Sequence, residues 1–167
     1  MPVTQQLARA DAAVIERCRR STALLDELCS FRLLPADDHL DVDWAPSLLH
    51  SAAEAALLPA TDRDLLRLAF EGEGEVNPAY RDAAHTVWEH PVTATSPAQV
   101  AAIAAALGRC SASSFPSRAA AAAAAATQPV EMRPRALRGY LRDHVRAVAD
   151  FYAGAARRGL GVVAWWD

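Results

Sequence analysis

The stretch from residue 134 to residue 166 constrains the fold most strongly, because it joins a long amphipathic helix to a buried strand. Pro134 suits a first helical turn, and Gly159 stands where a left-handed C-cap is expected. Between them runs one apolar stripe at steps of three and four residues, formed by Leu137, Leu141, Val145, Val148, Tyr152 and Ala155. Residues 160–166 are apolar at both alternating positions, which predicts a strand buried on both faces. The pattern predicts a compact domain and indicates no chemistry.

Length and composition favour a single domain over residues 1–167. A chain of 167 residues buries about 70% of its unfolded surface when it folds as one unit. Hydrophobic residues make up 52% of the chain, but 39 positions are Ala, so we expect a core with many small side chains. Eight of these alanines form the run 119–126, a composition that favours a helix.

The net charge of −3 is distributed unevenly along the chain. Residues 1–90 carry 8 Arg against 16 acidic residues, whereas residues 91–167 carry 9 Arg against 4 acidic residues. The two halves should attract each other within one folded unit. The alternative is a molecule with a separate basic side that meets an acidic partner.

Targeting signals and disulfide motifs are absent from the sequence. It shows neither a signal-peptide pattern nor an apolar run of about 18 residues that would cross a membrane. Cys18, Cys29 and Cys110 form no paired motif, and an odd count argues against an extracellular disulfide framework. We therefore expect a cytoplasmic protein that does not contact a membrane.

Capping residues mark the predicted helices of the first half. Asp11 and Ser21 each precede a short helix. Asp43 is expected to cap a helix over residues 44–57 that turns Trp44 toward the core.

Glycine and proline set the boundaries of the later elements. The sequence EGEGE at residues 71–75 predicts a flexible acidic loop. Residues 91–95 favour an edge strand. Ser96 and Gln99 form a predicted capping box before a helix that Gly108 closes.

The densest polar cluster, Asp37–Asp43, suggests a metal site. An EF-hand loop does not fit, because no Gly follows the third ligand and the twelfth position is Leu48. A zinc site would need paired His or Cys ligands, which the cluster lacks. We interpret the segment as a solvated acidic turn and predict no metal and no cofactor. Asp41 and Asp43 remain candidates for lining a pocket.

The five histidines share no metal-binding spacing. His50 lies one helical turn after Pro46, near an apolar side, which favours a partly buried structural role. In strand geometry Trp88 and His90 share one face and Glu89 lies on the other, so an acid–base pair is not expected there. We assign no catalytic residue, and we keep His50, Trp88 and His90 as candidates for a pocket assembled from distant segments.

Motifs for nucleophilic catalysis and for nucleotide binding are also missing. The chain has no G-x-S-x-G and no P-loop, and all 17 basic residues are Arg, which excludes Schiff-base chemistry on Lys. A stripe on the last predicted helix offers phosphate contacts, formed by Arg135, Arg138, Arg142 and Arg146. The pI near 5.9 and the lack of a known module argue against nucleic-acid binding.

Three segments, taken in order, resemble the YfbM-like bacterial proteins, domain-of-unknown-function family 1877. They are LDVDWAPSLLH at residues 40–50, TATSPAQVAAI at residues 93–103, and the pairs YL, FY, AA and VV with a glycine between residues 140 and 163. The resemblance runs, with gaps, from about Val3 to Trp166. It departs from the family where Pro46 replaces a Trp and where a Gly-Gly turn appears only as Gly72 and Gly74.

The resemblance implies a helix-rich α+β fold but no reaction. Its small sheet would use strands near both chain ends, and Val3–Arg9 fits the first of them. For function we favour a non-enzymatic module that binds another protein, as a regulatory or immunity-like partner. The alternative is a small-molecule-binding or hydrolytic protein whose pocket collects Asp41, His50, Trp88 and His90.

Overall fold

The computed structural model describes residues 3–55, 58–84, 86, 89–112, 115, 117–118 and 134–167. Its helices are α1 (Ala12–Arg20), α2 (Thr22–Cys29), α3 (Ala45–Ala55), α4 (Ala60–Glu71), α5 (Pro97–Ala112) and α6 (Pro134–Arg158). Its strands are β1 (Gln5–Ala10), β2 (His39–Asp43), β3 (Gly74–Glu75), β4 (Thr93–Thr95) and β5 (Gly161–Trp166). The predicted alanine helix at 119–126 and the candidate Trp88 lie outside the described residues.

The described strands form one antiparallel sheet in the order β2-β1-β5-β4-β3. The strand nearest the N-terminus, β1, pairs along its whole length with β5, the strand nearest the C-terminus. Both predicted terminal strands are therefore present and adjacent. The helix-rich α+β class with a small sheet near both chain ends is confirmed.

Helices cover both faces of this sheet and create two hydrophobic cores. Strand alternation sends Leu7 and Val162 to one face, where they pack with side chains of α3, α4, α5 and α6. The neighbouring Ala8 and Val163 point to the other face and pack with side chains of α1 and α2. This arrangement explains why β5 needs apolar residues at every position.

The C-terminal helix and strand follow their sequence pattern closely. Helix α6 begins at Pro134 and ends at Arg158, and Gly159 has the positive φ of 64° expected after a helix. All members of the predicted apolar stripe are buried. In β5 the five residues 161–165 are buried, which confirms a strand that is covered on both faces.

The predicted caps of the first two helices are also confirmed. The Asp11 carboxylate accepts a hydrogen bond from the Val14 N–H at 2.7 Å, and the Ser21 hydroxyl accepts one from the Leu24 N–H at 3.2 Å. Each bond satisfies a donor in the first helical turn that has no partner within the helix.

The prediction that Trp44 turns inward is wrong. The helix begins only at Ala45, and Asp43 before it adopts a left-handed φ of 51°. This reversal of the chain takes Trp44 out of the helical register that the apolar pattern assumed, and half of its surface, 50%, is exposed. The core position is taken instead by Ala45, which is fully buried.

Two predictions around the EGEGE segment need correction. Gly74 and Glu75 are not loop residues but form β3, paired with Ala94 and Thr93 of β4. Because β3 covers it, β4 is an interior strand rather than the predicted edge strand. Gly72 permits the approach, since its φ is +68° and a Cβ there would stand 2.8 Å from the Cβ of Thr93.

Helix α5 starts as predicted after Ser96, but the residues that define its ends differ. The carboxylate of Glu73, not the side chain of Gln99, accepts the backbone N–H of Ser96. Gly108 does not close the helix, which continues to Ala112. The Ala-rich sequence before Gly108 favours a helix that continues through this glycine.

Ion pairs connect the acidic and basic halves of the chain. Arg109 of α5 lies 2.5 Å from the Asp62 carboxylate of α4, and Arg158 of α6 contacts Asp38 beside β2. Among the helices of the described residues, none is long and apolar enough to cross a lipid bilayer.

Candidate functional site

A cavity of about 290 Å³ lies between the sheet and the ends of α3 and α4, and two of the predicted pocket residues, His50 and His90, line it. We call it the histidine cavity. Its sheet wall is formed by Gln5, Thr93, Ala164 and Trp166. Its opposite wall and rim are formed by Pro46, Ser47, His50, Phe70, Glu71, His90 and Pro91.

Strand register explains why these sheet residues meet. Gln5 pairs directly with Trp166, and Thr93 pairs with Ala164. Residues that are directly opposite in antiparallel strands project from the same face. The four side chains therefore point to the face that α3 and α4 cover.

Gln5 is a buried polar residue in the cavity wall, with 3% of its surface exposed. Its Nε2 donates a hydrogen bond of 2.6 Å to the carbonyl oxygen of Phe70. Because a carbonyl only accepts, this bond fixes which end of the amide is nitrogen. The other end, Oε1, is buried and has no hydrogen-bond partner among the described residues.

Each of the two histidines that line the cavity lies against an aromatic ring. The partly buried ring of His50 meets Phe70 edge-on, with 5.7 Å between centroids. The exposed ring of His90 lies over Trp166, with 4.8 Å between centroids and 32° between planes. Aromatic contacts of this kind hold the imidazoles in defined orientations.

Among the described residues that line the cavity, Glu71 is the one with a formal charge. Arg67, one helical turn earlier on α4, forms an ion pair of 3.1 Å with this carboxylate. The charge is thus compensated from outside the cavity. The described lining contains neither Arg nor Lys, which are the side chains that grip phosphate and carboxylate groups.

A second, smaller cavity of about 50 Å³ lies across His90 and Trp166 on the other side of the sheet end. There the Tyr80 hydroxyl donates to the Asp26 carboxylate at 3.1 Å, and Cys29 lies beside them. Burial raises the pKa of the Cys29 thiol to about 12. The thiol is therefore neutral at physiological pH and is a poor nucleophile.

Asp41 and Asp43 are not brought to the histidine cavity. The Asp41 carboxylate accepts the backbone N–H of Asp43 at 2.7 Å, which supports the left-handed turn. The Asp43 carboxylate accepts a hydrogen bond from the hydroxyl of Tyr140 at 2.9 Å. The ring of His144 lies against that tyrosine at a tilt of 54°, with 4.3 Å between centroids.

Burial is the main influence on the pKa values of Tyr140 and His144. It raises the pKa of Tyr140, with a further rise from the Asp43 carboxylate. It lowers the pKa of His144, although Asp43 and Asp41 act in the opposite direction. Both rings are neutral at physiological pH. The hydrogen bond between Tyr140 and Asp43 connects α6 to the end of β2.

Sequence reasoning therefore found two of the cavity's residues and missed most of the wall. His50 and His90 line the same cavity, while Asp41 and Asp43 lie elsewhere and Trp88 is outside the described residues. Gln5 was missed, although a Gln within a buried strand is itself an unusual residue that signals a special environment.

Comparison with known proteins agrees with the fold. Residues 36–165 match the profile of DUF1877, a domain of unknown function. The fold is similar to the crystal structure of YfbM from Escherichia coli, a protein of unknown function, with a TM-score of 0.63 and 17% identity over 98% of this chain and 99% of that one. No curated protein matches the chain significantly. Because the profile match spans most of its length, the chain belongs to the DUF1877 family, whose function is unknown.

Proposed function

We propose that this protein binds a small molecule in the histidine cavity. The observation that carries the proposal is the convergence of His50 from α3, His90 from the segment before β4, and buried Gln5 from β1 on one cavity. Binding sites are typically concave and mostly apolar, with a few polar groups aimed at one point. The histidine cavity is concave, and its lining combines aromatic and apolar residues with six polar side chains, three of which are Gln5, His50 and His90.

The size of the cavity limits the ligand. Ligand pockets usually measure about 300–1,000 Å³, and this one is at the lower end with about 290 Å³. A ligand of one or two rings fills such a space. We propose binding; hydrolysis would require, in addition, a nucleophile activated by a base within reach of the substrate.

Resonances of the histidine rings provide a direct test. We expect at least one member of a panel of phenol, indole, benzimidazole and benzamide to shift the imidazole signals of His50 and His90 in NMR spectra, and to leave that of His144 unchanged. His50→Ala should abolish the shift at His90. If no compound moves either signal, or if His144 responds equally, the cavity is not the binding site.

A protein partner is the second candidate function, supported by one feature of the surface. Trp44 exposes 50% of its surface next to the acidic end of β2, and Trp is among the residues enriched at interaction hot spots. Trp44→Ser separates the two candidates. Binding in the histidine cavity should be unchanged by this substitution, whereas association with a protein partner through this surface should be lost.

A further inference from the structure

We propose that β2, an edge strand of the described sheet, binds an extended segment of a partner protein that carries Arg or Lys, and that this segment pairs with β2 as an added strand. The inference is independent of ligand binding in the histidine cavity. It rests on the second candidate function, a protein partner, and names the surface and the chemistry of that partner. Three properties of β2 and its surroundings lead to it: outward backbone groups, an exposed aromatic residue at each end, and excess negative charge.

The strand register shows which backbone groups of β2 point away from the sheet. Thr4 and Asp167, at the end of the β1–β5 pair, exchange two backbone hydrogen bonds of 2.7 and 2.9 Å. Successive residues of an antiparallel strand bond alternately to one neighbour and to the other, so Leu7 bonds to its partner Leu40 in β2. The backbone of Asp41, the next residue, then points outward. Its N–H and C=O have no hydrogen-bond partner among the described residues.

An exposed aromatic residue stands at each end of this edge. Among the described residues, the large hydrophobic side chains that are exposed are Phe31 and Trp44, at 44% and 50%. The ring of Phe31 lies 5.2 Å from that of His39, where β2 begins, and Trp44 directly follows its last residue. Phe31 and Asp43 both have left-handed φ angles, 61° and 51°, which cost free energy outside Gly. Strained backbone clusters at functional sites, and exposed aromatic residues mark interaction surfaces.

The excess negative charge decides which kind of strand fits. Asp38 is paired with Arg9 and Arg158. The other carboxylates of the segment form no ion pair within the described part of the chain; they belong to Asp37, Asp41 and Asp43. Opposite charges across antiparallel strands stabilise the pair, and like charges that face each other destabilise it. A basic segment is therefore favoured, whereas β2 of a second copy would bring the same carboxylates.

Three synthetic peptides test the proposal. The first alternates Val and Arg, the second has Glu in place of each Arg, and the third is the arginine peptide with all its backbone amides methylated. We expect the arginine peptide to bind the wild-type chain about tenfold more tightly than either of the others, measured by calorimetry at low salt. The glutamate peptide lacks the opposite charge, and the methylated peptide lacks the N–H donors that an added strand supplies.

Hydrogen exchange locates the contact on β2. In the free chain the amide of Asp41 should exchange rapidly, whereas that of Leu40, which is bonded to β1, should be protected. The arginine peptide should slow exchange at Asp41 about fivefold or more and leave Leu40 unchanged. Protection of Asp41 that appears without peptide and grows with protein concentration would show that a second copy occupies the edge, and the proposal would be wrong.

The variant Asp41→Asn assigns the charge preference. The amide oxygen of Asn still accepts the backbone N–H of Asp43, so the variant keeps the turn and loses the charge. The preference for the arginine peptide over the glutamate peptide should fall about threefold. Asp64→Asn, at an exposed position of α4, makes the same change of charge away from β2 and should retain the full preference.

The possible results distinguish the mode of binding from the candidate function. If the arginine peptide and its methylated form bind equally and Trp44→Ser weakens both, this surface binds protein segments but not as an added strand. If the arginine and glutamate peptides bind equally, the chemistry assigned to the partner is wrong. If no peptide binds, both strand addition and this surface as a partner site are wrong. These comparisons use the wild-type chain, so they hold even if Asp41→Asn does not fold.

Discussion

Asp38 is a buried carboxylate held between arginines from opposite ends of the chain. Arg9 Nε lies 3.0 Å from its Oδ1, and Arg158 Nη2 donates to its Oδ2 at 3.1 Å. The hydrogen bond from Arg158 is the largest of the effects that hold the pKa of Asp38 below its ordinary value. Arg9 is itself fixed, with its guanidinium carbon 4.7 Å from the centroid of the Phe151 ring.

Asp38→Asn should therefore destabilise the protein in a pH-dependent way. We expect a loss of about 2–3 kcal/mol in the free energy of unfolding near neutral pH, because two arginines lose their shared anion. The folded-state pKa lies below the unfolded one of about 3.9, so the stabilisation is complete above that value and is lost as the pH falls through the folded-state pKa. Urea denaturation at several pH values should show the gap between wild type and variant closing on acidification.

The neighbouring residue supplies the control for Asp38. Asp37 is exposed, and it contacts Arg9 through its backbone carbonyl, which a side-chain substitution preserves. Asp37→Asn should leave stability nearly unchanged at every pH. A gap between wild type and Asp38→Asn that stayed constant down to about pH 3 would show that ionisation of Asp38 is not the source of the effect.

At the scale of elements, Glu73 joins the β3 segment to the start of α5. Its carboxylate accepts the backbone N–H of Ser96, and its own N–H donates to the carbonyl of Ala94 at 2.9 Å. A negative group at a helix N-terminus is favourable both as a cap and toward the helix dipole. We expect Glu73→Ala to lower the free energy of unfolding by about 0.5–2 kcal/mol. Gln99→Ala, measured in the same denaturation series, should have little effect; the reverse ranking would restore the capping box.

The local sequence pattern was sufficient to predict some helices and strands but not others. Helix α6 and strand β5 follow from periodicity because their burial is continuous along the segment. Strand β3 could not be predicted, since Gly74 and Glu75 have low strand propensity and become a strand only by pairing with β4. The prediction that Trp44 points inward was wrong for a similar reason, because one left-handed residue, Asp43, changes the direction of the chain.

The candidate site shows the same division between local and long-range information. The aromatic and apolar neighbours of His50 and His90 in the sequence mark them as residues in special environments, but do not show that they line one cavity. They meet because the sheet places β1 between β2 and β5, an order that depends on contacts far apart in sequence. The orientation of the Gln5 amide depends on contacts that are equally distant in sequence, since the Phe70 carbonyl that accepts its Nε2–H comes from α4.

For the whole molecule, β5 is, together with β1, an element that both hydrophobic cores share. Val162 belongs to the core under α3, α4, α5 and α6, and its neighbour Val163 belongs to the core under α1 and α2. Both side chains are almost fully buried, with exposures of 1% and 0%. Because one strand carries both contacts, damage to either core should reach the other, and we expect the chain to unfold as a single cooperative unit.

Val162→Ala and Val163→Ala test this coupling between the cores. Each removes two methyl groups from a packed interior and should cost about 1–3 kcal/mol, whereas Val14→Ala, at a partly buried position of α1, should cost less. In calorimetry each β5 variant should show one transition at a lower temperature, with equal calorimetric and van't Hoff enthalpies. A Val163→Ala protein that loses its near-ultraviolet dichroism before its helical signal, in two separate transitions, would show that the two layers are independent units and that the single-domain interpretation of residues 1–167 is wrong.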